Sequence, residues 1–137
     1  MMKKIAFVLA LMMVFVFTAC TSKTVTVDVD YGDSRLYSKE DMDTAAKIIL
    51  EEFAQMKGAE LQSLNYTSDE CNSQENIDWM NDLANREVQY TQCIEFASKF
   101  RSPEEGGGSW IPDSEYNWHW WLARADGGEW ELMTFGY

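Results

Sequence analysis

The chain has 137 residues, enough for one domain with a real core but not for two. It carries 23 carboxylates against 11 lysines and arginines, a net charge of −12. So acidic a surface repels phosphate backbones, which excludes nucleic acid as a partner, and it has no electrostatic hold on anionic lipid headgroups.

The first twenty residues run MMKKIAFVLALMMVFVFTAC. Lys3 and Lys4 precede an unbroken apolar run from Ile5 to Phe17, and Thr18 and Ala19 lead into Cys20. That order of charged, apolar and small residues marks a secretory signal peptide over 1–19. The apolar run is thirteen residues long, too short for the ~20 that a spanning helix needs. Phe17-Thr18-Ala19-Cys20 resembles a bacterial lipobox with Phe in place of the usual Leu. The resemblance implies diacylation of Cys20 and removal of what precedes it, and two acyl chains suffice for stable anchoring. The competing reading keeps the segment as an uncleaved anchor with Cys20 an ordinary thiol. On the lipoprotein reading a mature chain of 118 residues faces the cell exterior, tied to the cell membrane through Cys20. Nine cations against 23 carboxylates then leave it at −14.

With Cys20 lipidated, Cys71 and Cys93 remain as an even pair in a compartment where disulfides persist. A bridge between them is expected, worth ~3 kcal/mol through the loop it closes; the alternative is two buried free thiols. No metal site is expected, because His119 is the sole histidine and no CxxC occurs. No cofactor is implied.

Residues 20–36 are expected to form a tether, in which Thr24 to Val29 alternate as a short edge strand or an extended linker, with a turn at Tyr31-Gly32-Asp33. One domain then spans 37–137. A helix is predicted from Ser38 to Lys57: Ser38 caps it, Glu40 and Asp41 favour the positive end of its dipole, and Gly58 stops it. Met42, Ala45, Ile49, Phe53 and Met56 make its apolar face. Residues 59–67 are predicted as a strand and Thr67 to Gln74 as a loop. A short helix follows over Glu75 to Ala84, capped by Ser73, with Ile77, Met80, Leu83 and Ala84 at helical spacing. From Gln92 to Phe100 the period is two, with Ile94, Phe96, Ser98 and Phe100 on one face. A loop containing Pro103, Gly106-Gly107-Gly108 and Pro112 leads to an aromatic strand, Glu115 to Ala125. Asp126-Gly127-Gly128 turns the chain into a last strand, Glu129 to Phe135. Segregated helices and hairpin strands indicate an α+β fold, an antiparallel curved sheet on one long helix with a short second helix, in the manner of a cystatin or a nuclear-transport-factor-like domain.

Candidate chemistry centres on the aromatic residues Trp110, Tyr116, Trp118, Trp120, Trp121, Trp130, Phe135 and Tyr137. Most are expected in the core, with Trp110 and one of Trp118 or Trp121 exposed to stack on sugars or grip a peptide. His119 needs a carboxylate to orient it before it can act as a base, and Glu95 or Glu131 on the neighbouring strands are the candidates. The segment Asp28 to Asp33 imitates a calcium loop but has glycine fifth and Lys39 in the twelfth position, so it fails as one. The stretch Glu105 to Ser109 lacks the lysine and the context of a phosphate loop and is read as a mobile rim of a binding site.

Tyr37-Ser38-Lys39-Glu40-Asp41, Arg101-Ser102-Pro103 with the Gly106 triplet, Trp118 to Arg124, and Gly128 to Tyr137 together resemble one family: small, uncharacterised membrane lipoproteins of Gram-positive, often gut-dwelling, bacteria. The resemblance spans most of residues 31–137. It implies an extracellular domain of unknown function and no catalytic residues. The functional expectation is therefore a lipid-anchored binding or accessory domain, not an enzyme, for a peptide, glycan or protein. Its site is expected to hold Gly107, Trp110, Tyr116, His119 and Trp121. The alternatives are an acidic immunity or inhibitor protein against a basic toxin or enzyme, and a small hydrolase using His119 with Glu95.

Overall fold

The computed structural model describes residues 25–87 and 89–137, so the expected signal peptide over 1–19 and the expected lipidation at Cys20 lie outside the described residues. Along the chain come β1 (Val29–Asp30), α1 (Lys39–Phe53), β2 (Glu60–Tyr66), a 3-10 turn (Asp69–Asn72), α2 (Gln74–Ala84), β3 (Gln92–Arg101), β4 (Glu115–Arg124) and β5 (Glu131–Gly136). The fold is α+β, as the sequence predicts. The strands form one sheet in the order β1-β2-β3-β4-β5. Strands β2 to β5 pair antiparallel, but β1 runs parallel to β2, so the sheet is mixed where an antiparallel one was expected. Val25, Val27, Val29 and Tyr31 pack on the core from this edge, so the folded unit begins ahead of residue 37. Among the described residues no helix is long and apolar enough to cross a membrane.

Helix α1 starts where its cap demands. Ser38 Oγ accepts the Asp41 N–H and the Asp41 carboxylate accepts the Ser38 N–H, a closed capping box. The helix ends at Phe53, four residues before the expected stop, because Gln55 and Met56 bond back to carbonyls three residues earlier and tighten the chain into turns. Its stripe of Met42, Ala45, Ala46, Ile49 and Phe53 is buried against Leu64, Phe96, Phe100, Trp120 and Leu122. Each large side chain so buried is worth ~1.5–3 kcal/mol.

The opposite face of the sheet has a smaller core. Ile77 and Met80 of α2 close over Tyr90, Cys93 and Ala123, with Trp121 and Met133 at the margin. Leu83, expected on the inward face of α2, is 46% exposed instead. The helix thus turns Trp79 and Leu83, one turn apart, outward beside the sheet. Between β4 and β5 the chain reverses at Gly127, whose φ of +69° suits glycine. Trp130 stays out of β5, where a longer strand was expected, because its indole N–H reaches back to the Asp41 carbonyl.

Candidate functional site

Strand alternation divides the residues expected to share one site. Tyr116, Trp118 and Trp120 face α1, in register with Phe100, Ser98 and Phe96; His119 and Trp121 face α2, in register with Ala97 and Glu95. Gly107, Trp110 and Tyr116 therefore gather on one side of the sheet and His119 with Trp121 on the other.

On the α1 side Trp110 is not a free ring. It lies 5.5 Å from Phe100 and 6.1 Å from Trp118, and Gly107 accepts its backbone N–H. The loop around it is knitted and not the mobile rim the glycines implied. The Ser102 hydroxyl donates to the Ile111 carbonyl at 2.6 Å, the Tyr116 hydroxyl accepts the Ile111 N–H, and Arg101 pairs with Asp113. These aromatics extend the core past the end of α1.

The α2 side is built differently. Glu95 lies directly across from Trp121, which makes it the diagonal neighbour of His119 on the same face. His119 Nδ1 and Glu95 Oε2 lie 3.0 Å apart, a hydrogen bond that orients the imidazole ring. Glu131, the other candidate orienter, is occupied elsewhere: it accepts from the Tyr90 hydroxyl and pairs with Arg86. Trp79 of α2 meets Trp121 edge to face, 5.3 Å between ring centres, and keeps 40% of its surface exposed. Gly136 stands opposite His119 and adds no side chain there. A cleft of about 170 Å³ results, lined by Trp79, His119, Trp121, the β5 residues Thr134 to Gly136, and Tyr137 beyond them. A wider depression of about 580 Å³ lies along α2, but its lining of Asp78, Asn81, Asp82, Asn85, Arg86 and Gln89 is polar throughout. Ligand sites combine apolar walls with a few placed polar groups, so the smaller cleft is the better candidate.

The sequence pattern alone does not mark Trp79 as a site residue. The available signal was its apolar partner one turn on, Leu83, in a helix whose inward stripe of Ile77, Met80 and Ala84 is complete without either.

Cys71 and Cys93 are both free and buried, which replaces the expected disulfide with its alternative, two thiols. They are neighbours all the same: Cys93 Sγ donates to the Cys71 carbonyl at 2.9 Å. Burial raises both thiol pKa values, that of Cys93 to about 12, so neither is a nucleophile at neutral pH. Among the described residues no group of three or more His, Cys, Asp or Glu is placed to hold a metal ion.

Comparison with protein-family models, curated proteins and solved structures gives no match. The cystatin-like and lipoprotein resemblances therefore gain nothing from relatives, and the functional reading rests on the cleft.

Proposed function

We propose that the protein is an extracellular binding domain without chemistry of its own, anchored to the cell membrane by lipid on Cys20. Its ligand is a peptide, glycan or protein presented outside the membrane, held at the Trp79–Trp121 cleft. The observation that carries this reading is the exposed indole of Trp79, set edge to face against Trp121. Both cores close without Trp79, and a large ring kept in water beside a cleft costs solubility unless something covers it. The bond from His119 to Glu95 holds a polar edge of the cleft in one orientation.

A second reading, a hydrolase with His119 as base and Glu95 as its orienter, draws support from that same 3.0 Å bond. It lacks a nucleophile: among the described residues no hydroxyl or thiol is hydrogen-bonded to His119, so water would have to serve.

The test is retention of the chain from Thr21 onward on native envelope, comparing the wild type with Trp79→Ala and following thermal unfolding of both. Loss of retention at an unchanged melting temperature supports the binding site; equal retention contradicts it. The hydrolase reading requires turnover of an envelope ester or amide that disappears in both His119→Ala and Glu95→Gln.

A further inference from the structure

We infer that the cleft and the free edge of β5 together take one extended, cationic segment of a partner protein, added to the sheet as a sixth strand with a lysine or arginine side chain in the cleft. This rests on the binding-domain reading and names the class of ligand within it.

Strand β5 closes the strand order, so among the described residues its outer edge has no partner in the sheet. Unpaired edges are where extended segments add, with backbone bonds supplying affinity and alternate side chains supplying specificity. Not all of this edge is equally open. A register shift between Trp121 and Leu122 interrupts the ladder, and Glu131 is tied to Arg86 and Tyr90. The regular stretch is Thr134 to Gly136, paired with Trp121 to His119, and the cleft opens along it.

Volume sets how much of a partner enters. At about 170 Å³ the cleft is well under the ~300 Å³ at which pockets hold whole small ligands, so it suits a single side chain. Its lining sets the charge. Two indoles set edge to face supply an aromatic wall for a cation and an alkyl stem, and no lysine or arginine lines the cleft. The carboxylates near it are Glu95, which holds His119 of its lining, and Asp78 and Asp82, exposed on α2 in the neighbouring depression. An anionic side chain would find no lysine or arginine in this lining to pair with.

Two other occupants fit less well. The chain's own first described residues, from Val25 to Asp30, lie at the far edge, four strand spacings, ~19 Å, away. A second copy would bring its own excess of carboxylates, −12 for the whole chain, and be repelled.

The test uses the lipidated protein in neutral detergent micelles and three fluorescein-labelled hexapeptides: Lys-Val repeated three times, Glu-Val repeated three times, and Lys-Pro repeated three times. The Lys-Pro peptide keeps the charge but loses every second backbone donor. The Lys-Val peptide should bind, the Lys-Pro peptide about tenfold or more weaker (about 1.4 kcal/mol), and the Glu-Val peptide not measurably. Trp79→Ala should weaken the Lys-Val peptide by a similar factor at an unchanged melting temperature. Equal binding of the two lysine peptides would reduce the effect to charge alone and overturn the proposal. So would wild-type affinity in Trp79→Ala, or no peptide binding at all. Binding of a neutral oligosaccharide such as chitohexaose, lost in Trp79→Ala and without peptide binding, would overturn the strand proposal while leaving the binding domain intact. Self-association that competes with the Lys-Val peptide would identify a second copy as the occupant and overturn it too.

Discussion

Replacing Asp41 with alanine should cost the domain about 2–3 kcal/mol, because one carboxylate serves two structures. Its Oδ2 accepts the Ser38 N–H as half of the capping box, worth about 0.5–1 kcal/mol. Its Oδ1 accepts Arg124 Nη1 at 2.9 Å, joining the first turn of α1 to the end of β4. Arg124 is only 13% exposed, lies 4.2 Å above the Trp130 ring and donates Nε–H to Gln92. Fully buried pairs cost about 3–5 kcal/mol to break and exposed pairs about 0–1; at 13% and 29% exposure this one falls near 2. Urea unfolding followed by tryptophan fluorescence reads the loss as a lower midpoint at unchanged slope. A double-mutant cycle with Arg124→Leu should return a coupling of about 1–2 kcal/mol. The sign of the pH dependence follows from the hydrogen bond from Arg124, which holds the Asp41 carboxyl below the usual carboxylate range. A folded pKa below the unfolded one gives stability that is present above the ordinary value of about 4 and disappears as pH falls through the folded value. The gap between wild type and Asp41→Ala should therefore narrow in acid. A variant within about 0.5 kcal/mol of wild type at pH 7, or a gap that widens as pH falls, would refute the two-structure assignment.

Three further outcomes follow from the packing. Ser98→Ala removes the acceptor of the buried Trp120 indole N–H, 2.8 Å away, and should cost about 1–3 kcal/mol in the melting experiment; a neutral variant would mean that water takes the bond over. In the chain from Thr21 onward a thiol reagent at pH 7 should modify neither Cys71 nor Cys93 until denaturant is added, and then both without reductant. No modification after unfolding would mean that the pair is bridged. Trp79→Ala should stay within about 1 kcal/mol of wild type, whereas Trp120→Ala, fully buried at the sheet centre, should lose about 3–5 and leave little folded protein. Comparable losses in the two would place Trp79 in the core.

Where one local rule governs, the structure follows the sequence closely. Ser38 and Ser73 cap the two helices as their positions announce, and the period-two pattern of Ile94, Phe96, Ser98 and Phe100 gives a buried face. Legibility ends where distant segments decide. The two-residue β1 pairs parallel with β2 across α1, a choice made by Val25, Val27 and Val29 packing on the core rather than by their alternation. Helix α1 stops early through its own turn bonds, although Met56 continues its apolar stripe. At the site, alternation puts His119 with Trp121 but leaves both Glu95 and Glu131 as its candidate partners; the structure bonds His119 to Glu95 and ties Glu131 to Arg86. It carried no information on how the loop folds back, and that fold-back ties Trp110 to Phe100 on the opposite side. Trp79 escaped notice because a helical stripe shows which residues point inward, whereas its own role depends on the strand it leans against.

The six tryptophans make the most direct measurement possible, since each indole N–H gives its own signal in a heteronuclear NMR spectrum. Trp120 and Trp130 donate to Ser98 and to the Asp41 carbonyl within the core, Trp118 Nε1 is buried without a partner, and Trp110 packs on Phe100. Trp79 and Trp121 alone line the cleft. Titrating the labelled protein with solubilised envelope, and then with the Lys-Val peptide, should move the Trp79 and Trp121 signals and leave those of Trp120 and Trp130 in place. Shifts confined to Trp110 and Trp118, with Trp79 and Trp121 unmoved at saturation, would contradict the cleft as the binding surface.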